Sequence, residues 1–320
     1  MSERTDITQL HTPVMPERCI ELLRPALERE GAVVVDGTLG MGGHSEAILR
    51  AVPNVHLVGI DRDLDAIEIA GRRLAPFADR IDLVHAVNDA FDDVLDDLGI
   101  GEVDGVLLDL GVSSLQLDEP ERGFSYARNA PLDMRMDQSG GETAAELLAR
   151  LTEKELRDLF YRYGDEKLAP RYASRIVAER ESSPITTTEE LVDLLQRATP
   201  AAKRDQGHPA KRVFQALRVA VNRELDALEH VLPQAMDRLR VGGRIVVESY
   251  QSLEDRLVKH AFQERSTSSA PRDLPVELPE HRPQFALLTR GAERASDAET
   301  AINPRALPVR LRAAEKIRST

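Results

Sequence analysis

The stretch VVVDGTLGMGGHSEAIL, Val33 to Leu49, constrains this chain more than any other. A β-branched run, four glycines at 37, 40, 42 and 43, and the pair His44-Ser45 predict strand, tight turn and helix start in that order. The glycines remove Cβ atoms where backbone must turn sharply and approach a ligand. Unpaired N–H groups at the helix start would face the same spot. The pattern lacks the Gly-Lys-Ser/Thr ending of a phosphate loop and fits G-x-G-x-x-G only loosely. About 20 residues on, HLVGIDRD (His56 to Asp63) predicts a second buried strand ending in Asp61, an acid able to accept both hydroxyls of a ribose. Strand, turn, helix, strand and acid together point to an adenosine-containing ligand. The alternative is a plain tight turn, with Asp61 capping the next helix.

The rest of the chain continues the alternation. Helices are expected at Pro16 to Glu30, Ser45 to Ala51, Leu64 to Leu74 and Phe91 to Leu98, with a third strand at Ile81 to His85. VDGVLLDLGVSS (Val103 to Ser114) predicts a fourth buried strand ending in Asp109. Continuous apolar runs mark strands covered on both faces, as in parallel sheets. Ligands in such sheets sit at the carboxyl ends of strands near the switch point, so Asp109 is expected in the same crevice as the glycine turn. From about Arg122 to Gly207 the alternation stops. Helical periodicity covers Thr143 to Arg150, Glu153 to Tyr163 and Leu168 to Arg180, with capping boxes at Thr152/Glu155 and Thr187/Glu190. One long helix, Pro209 to about Leu239, then leads to a fifth strand, Gly242 to Tyr250, a helix from Ser252, and a polar loop from Ser266 to Pro283. Phe285 to Leu288 and Leu307 to Leu311 read as an antiparallel pair at one edge. The expected architecture is α/β: a seven-stranded, mostly parallel sheet formed by 1–121 and 208–320, with an inserted helical domain at 122–207.

Composition narrows the class. There is no apolar run near 18 residues and no basic, apolar leader, so a cytoplasmic protein with no membrane segment is expected. A single cysteine, Cys19, makes no internal disulfide and fits a reducing compartment. Without a Cys cluster or a close His pair, no metal site is expected. The net charge of −13 argues against indiscriminate coating of nucleic acid. A local basic surface remains: Lys203, Arg204, Lys211, Arg212, Arg218 and Arg223 against the single acid Asp205. Its alternative is a solvated helix face.

Such a sheet suits a nicotinamide enzyme or a methyltransferase that uses S-adenosyl-L-methionine, and fold alone does not choose. The glycine pattern and the long polar insertion favour the second. HTPVM, DGTLGMGGHS, IDRD, LLDLGVSS with Gln116, ERGFSY, PLDMRMD, YGDEKLAPRYASRIV, HPAKRVFQALRVAVNREL, SLEDRLVK and NPRA, in this order, resemble the ribosomal RNA small subunit methyltransferase H family from His11 to Lys316. The resemblance implies a Rossmann-like class I methyltransferase that methylates the exocyclic N4 of one cytidine in the decoding region of bacterial 16S rRNA, within the small ribosomal subunit. It implies that Gly42, Gly43 and His44 hold the methionine end of the cofactor and Asp61 its ribose, that Asn88 stands where relatives often carry an aromatic beside the adenine, and that Asp109 and Gln116 complete the pocket. A homodimer is left open.

The chemistry adds its own demands. The N4 lone pair of cytosine is conjugated into the ring, so an acceptor must hold an amino hydrogen as nitrogen pyramidalises; Asp109 is the candidate. DNA amino-methyltransferases follow this acid with Pro-Pro and an aromatic, whereas this chain has Leu110-Gly111-Val112, so Phe124, Tyr126 or Tyr250 would sandwich the base. At Gln251 the family usually has histidine; glutamine hydrogen-bonds but cannot take the proton. Asp133, Arg135 and Asp137 occupy alternate positions at the start of the insertion. On an extended lip, Arg135 would meet a phosphate or base edge and Asp133 would read the cytosine amino group; an internal salt-bridged turn is the alternative. Lys211, Arg212 and Arg218 are the expected RNA contacts. Rivals are a DNA amino-methyltransferase, a non-catalytic assembly factor and a nicotinamide oxidoreductase.

Overall fold

The computed structural model describes residues 12–203, 207–271 and 278–319. His11, Arg204, Asp205 and the middle of the 266–283 loop lie outside them. Two compact units form: one holds the chain up to Gly111 and from Leu225 onward, the other Val112–Glu224.

In the first unit the chain runs through α1 (Pro16–Leu27), β1 (Val33–Asp36), α2 (Gly43–Ala51), β2 (His56–Asp61), α3 (Leu64–Leu74), β3 (Ile81–His85), α4 (Phe91–Asp97) and β4 (Val103–Asp109). The second unit contains α5 (Ser114–Asp118), α6 (Ala144–Arg150), α7 (Glu153–Gly164), α8 (Ala169–Arg180), α9 (Thr188–Ala198) and α10 (Ala210–Asn222). The chain then returns through α11 (Glu224–Arg238), β5 (Leu239–Ser249), α12 (Ser252–Ser266), β6 (Phe285–Leu287), α13 (Asp297–Ile302) and β7 (Arg310–Lys316).

The seven strands form one sheet in the order β3-β2-β1-β4-β5-β7-β6. β1 to β5 are parallel, and β7 runs antiparallel between β5 and β6. Successive side chains of a strand point to opposite faces, so each strand feeds two cores. Val34, Leu57 and Leu107 meet Leu23, Leu27, Ile48, Leu49 and Leu74 on one face. Val35, Val58, Val106, Ile245 and Val247 meet Phe91, Leu95, Leu228, Leu232 and Phe262 on the other. Strand order reverses between β1 and β4, which sets the crevice at their carboxyl ends.

The helical unit closes on its own core, built around Leu156, Phe160, Tyr172, Ile176, Leu191, Leu195, Phe214 and Leu217. Four of its helices, α5, α6, α7 and α9, start with capping boxes at Ser113/Gln116, Thr143/Glu146, Thr152/Glu155 and Thr187/Glu190. Only the last two are expected from sequence.

Two expectations change. The long helix from Pro209 breaks: Arg223 adopts a left-handed φ of 50°, and α10 and α11 are separate. Asn222 explains it, because its side chain accepts the Met136 N–H at 2.8 Å and donates to the Met134 carbonyl at 2.8 Å. That ties the end of α10 into the helical unit, which spans Val112–Glu224. The last strand also starts later than Leu307, at Arg310, because Asn303 and Pro304 open a 3-10 turn before it.

Candidate active site

The glycine turn is laced to both neighbouring strands. Asp36, buried at the end of β1, accepts the Thr38 N–H at 3.2 Å and the Ser45 hydroxyl at 2.6 Å, so the turn folds back on the strand that feeds it. Leu39 N–H donates to the Ile60 carbonyl and Gly40 N–H to Asp61 Oδ2, at 3.0 and 2.7 Å. On the other side Gly37 N–H reaches the Leu107 carbonyl at 2.9 Å, and Thr38 Oγ1 accepts the Asp109 N–H at 2.6 Å. Gly40 and Gly42 take φ of 50° and 76°, conformations that other residues reach only with strain. Gly42 precedes α2, leaving the first-turn N–H groups without helical acceptors.

Asp61 does not cap α3. Asp63 does, accepting from Asp65 and Ala66, while Asp61 Oδ1 accepts the Asp63 N–H at 2.9 Å. Burial pushes the Asp61 carboxyl up to about 6, although its two backbone N–H partners pull the other way. Asp109 caps no helix either, since Ser113 starts α5. Asn88 lies just past β3, whose continuation is held to β2 by Ala86 N–H donating to the Asp61 carbonyl at 2.9 Å. Its Oδ1 is buried with no hydrogen-bond partner among the described residues.

A second group of side chains meets at the ends of β4 and β5. Tyr250 donates its hydroxyl to Asp109 Oδ1 at 2.8 Å, and burial beside that carboxylate raises the phenol well above its ordinary value. His44 Nε2 lies 3.2 Å from Glu248 Oε2 and 3.6 Å from Asp109 Oδ2. These are charge contacts rather than aligned hydrogen bonds, because among the described residues His44 Nε2 and both Glu248 oxygens have no hydrogen-bond partner. Burial alone would lower His44, but the two acids outweigh it and hold the ring well above the usual histidine range. Burial pushes Glu248 up to about 7 and also raises the Cys19 thiol, whose Sγ lies within 4.8 Å of the His44 and Glu248 ligand atoms. Next along the chain, Gln251 has both amide atoms buried with no hydrogen-bond partner among the described residues, while Glu254 accepts its backbone N–H at 3.0 Å.

The structure therefore brings Gly42, Gly43, His44, Asp61 and Asp109 into one hydrogen-bonded and charge-paired frame. The other expected residues belong to the helical unit. Gln116 is buried, and its Oε1 accepts the Ser113 N–H at 3.0 Å. Asp133 and Arg135 are not splayed from an extended lip: Arg135 Nε and Nη2 bind the two Asp133 oxygens at 2.9 and 2.8 Å. Burial raises Asp133, but Arg135 overrides it and holds the carboxyl below its ordinary value. The internal salt-bridged turn is thus the arrangement found. Arg218 leaves the expected basic surface for a similar reason, since Glu224 takes its guanidinium at 2.8 and 2.9 Å. Arg212 donates to the Asp165 carbonyl at 2.8 Å; Lys211 and Arg212 are both exposed. Of the candidate aromatics, Phe124 is core and Tyr126 stacks on His208 at 4.6 Å. Sequence reasoning missed Glu248. Its signal was an acid inside the apolar run RIVVESY, where a buried strand has no use for a charge.

A parallel five-stranded sheet extended by a reversed strand, with a glycine turn after β1 and acids ending β2 and β4, defines a class I methyltransferase. The chain belongs to the MraW methylase family, whose pattern matches residues 8–317. It is 65% identical to the ribosomal RNA small subunit methyltransferase H of Clavibacter michiganensis subsp. michiganensis over 312 residues, covering 98% of each chain. The protein of that name from Leifsonia xyli subsp. xyli is 65% identical over 311 residues, 97% of this chain and 96% of the relative. Among solved structures, an rRNA methylase from Streptococcus thermophilus is similar at 11% identity and a TM-score of 0.42, covering 95% of this chain and 94% of that one. No helix among the described residues is long and apolar enough to cross a membrane.

Fold and family imply S-adenosylmethionine as the cofactor. The residues present fit it. Asp61 keeps acceptor capacity for ribose hydroxyls after its two backbone bonds, Asn88 offers an orphaned buried carbonyl to a donor such as an adenine amino group, and the acids beside His44 suit a cationic ligand.

Proposed function

We propose that this enzyme methylates the N4 of a specific cytidine in the decoding region of bacterial 16S rRNA, in the cytoplasm, with the small ribosomal subunit as its partner. Its relatives, ribosomal RNA small subunit methyltransferases, support an rRNA substrate. The observation that carries the chemistry is the Asp109 carboxylate, held at the end of β4 by the Tyr250 hydroxyl and flanked by His44. When bound, S-adenosylmethionine supplies a methyl group whose bond to sulfur breaks toward sulfur as the cytosine N4 lone pair forms the new bond.

In this reading Gly42, Gly43 and His44 hold the methionine end, Asp61 takes the ribose hydroxyls, and Asn88 and Gln116 complete the pocket. Asp109 accepts an amino hydrogen of the target, freeing the N4 lone pair from ring conjugation, and then receives the proton that the methylated nitrogen sheds. Tyr250 fixes the carboxylate from the opposite side. Most of the acceleration comes from holding the reacting atoms in line. The target base leaves its stack to enter, which favours an unpaired region. Lys211 and Arg212 contact the phosphate backbone. Asp133 acts through Arg135, shaping the turn between α5 and α6.

The test is methyl transfer from labelled cofactor to immature 30S particles or to DNA, with the product mapped by mass spectrometry. Label on one decoding-region cytidine as N4-methylcytidine is expected; label only in DNA removes the rRNA reading. Asp109→Ala should lower kcat by about 10² or more in a protein that still folds. An assembly factor without catalysis would have no activity to lose.

A further inference from the structure

We propose that Glu248 is a positioning residue for methyl transfer: together with Asp109 it clamps the buried His44 ring and keeps it protonated, which holds Asp109 ready as an acceptor. The inference rests on the reading of Asp109 given above. Asp109 and Glu248 are register partners on the parallel strands β4 and β5. Partners in a parallel pair point to the same face, so two carboxylates lie side by side in the interior. Like charges that close cannot both ionise unless a cation sits between them. His44, brought in by the first turn of α2, supplies it, with Nε2 at 3.2 Å from one acid and 3.6 Å from the other.

Glu248 has no exposed surface, and neither of its oxygens has a hydrogen-bond donor among the described residues. A buried carboxylate left this way is costly unless a charge answers it, and the imidazolium is that charge. The other titratable groups facing the cluster are the Cys19 thiol from α1, Asp36 from β1, Asp109 from β4 and Tyr250 beyond β5, while β7 sets the apolar Leu311 opposite Glu248. None of these supplies a second positive charge. Without Glu248, only Asp109 is left to oppose the effect of burial on His44, and the ring loses its proton at lower pH. The neutral ring would then bring no positive charge to Asp109, and the carboxylate would turn away or take up a proton. Either change removes the acceptor that the N4 hydrogen needs.

The experiment is an NMR titration of the His44 ring in wild type and in Glu248→Gln, with His44→Gln used to assign the signal, alongside pH–rate profiles with small-subunit particles. Wild-type His44 should stay protonated beyond pH 7. In Glu248→Gln its midpoint should fall by about one pH unit or more, and the alkaline limb of kcat should move down with it while KM for RNA changes little. Glu248→Asp should restore most of both. A wild-type His44 that titrates at or below the ordinary histidine value overturns the proposal, whatever the variants do. So does an unchanged His44 midpoint in a folded Glu248→Gln protein. Failure of the parent reading looks different: no methyl transfer at any pH, with the His44 titration still raised.

Discussion

Asp61 links cofactor binding to pH. Burial pushes its carboxyl up to about 6, so it is ionised at neutral pH and protonated as pH falls through that value. In the proposed reading the ionised form accepts both ribose hydroxyls beside the Gly40 and Asp63 N–H groups, and the protonated form has lost acceptor capacity. Calorimetry with S-adenosylhomocysteine should therefore find affinity flat above pH 7 and falling by up to about tenfold per unit below about 6. Asp61→Ala should flatten that dependence. Flat affinity from pH 5 to 8 in the wild type would mean that Asp61 does not touch the ribose. The carboxylates at 61 and 109 share a chemistry but not a setting: one is braced by backbone N–H groups, the other by a phenol and an imidazole. That difference suits one to hold a neutral diol and the other to handle a proton.

The elements owe their edges to local chemistry. α9 begins where Thr187 Oγ1 accepts the Glu190 N–H at 3.3 Å and Glu190 returns to the Thr187 N–H at 2.9 Å. Thr187→Ala should cost about 1 kcal/mol in urea unfolding, and Thr187→Ser much less. This box was visible in the sequence because its parts lie within one turn. Likewise β2 and β4 could be bounded from sequence, since each is an apolar run stopped by an acid. The break between α10 and α11 had no such mark. Asn222 looks like any polar residue in a helix until Met134 and Met136, 88 and 86 positions earlier, are brought to its side chain.

For the molecule as a whole, charge decides how RNA can be met. With a net charge of −13, contact with a phosphate backbone must come from local cations that no acid already answers. Lys211 is exposed, whereas Arg218 is taken by Glu224. Lys211→Ala should weaken RNA binding and lower the slope of log K against log salt by about one. Arg218→Ala should leave that slope alone and instead destabilise the fold, because Glu224 loses its partner. A salt slope that responds to Arg218 and not to Lys211 would reverse the assignment.

Periodicity and turn chemistry are short-range properties, and they were enough for the sheet, the glycine turn, the acids at 61 and 109 and most helix starts. A strand of apolar residues stopped by aspartate can be recognised one segment at a time. Pairing is not a short-range property. Whether Asp133 faces a ligand or Arg135, whether Arg218 is free or bound to Glu224, and whether Glu248 is an accident or the far side of a histidine clamp depend on which charges the folded chain sets within about 4 Å of one another, where Coulomb energies become decisive. For His44, Asp109 and Glu248 those distances exist only once β4, β5 and α2 have come together.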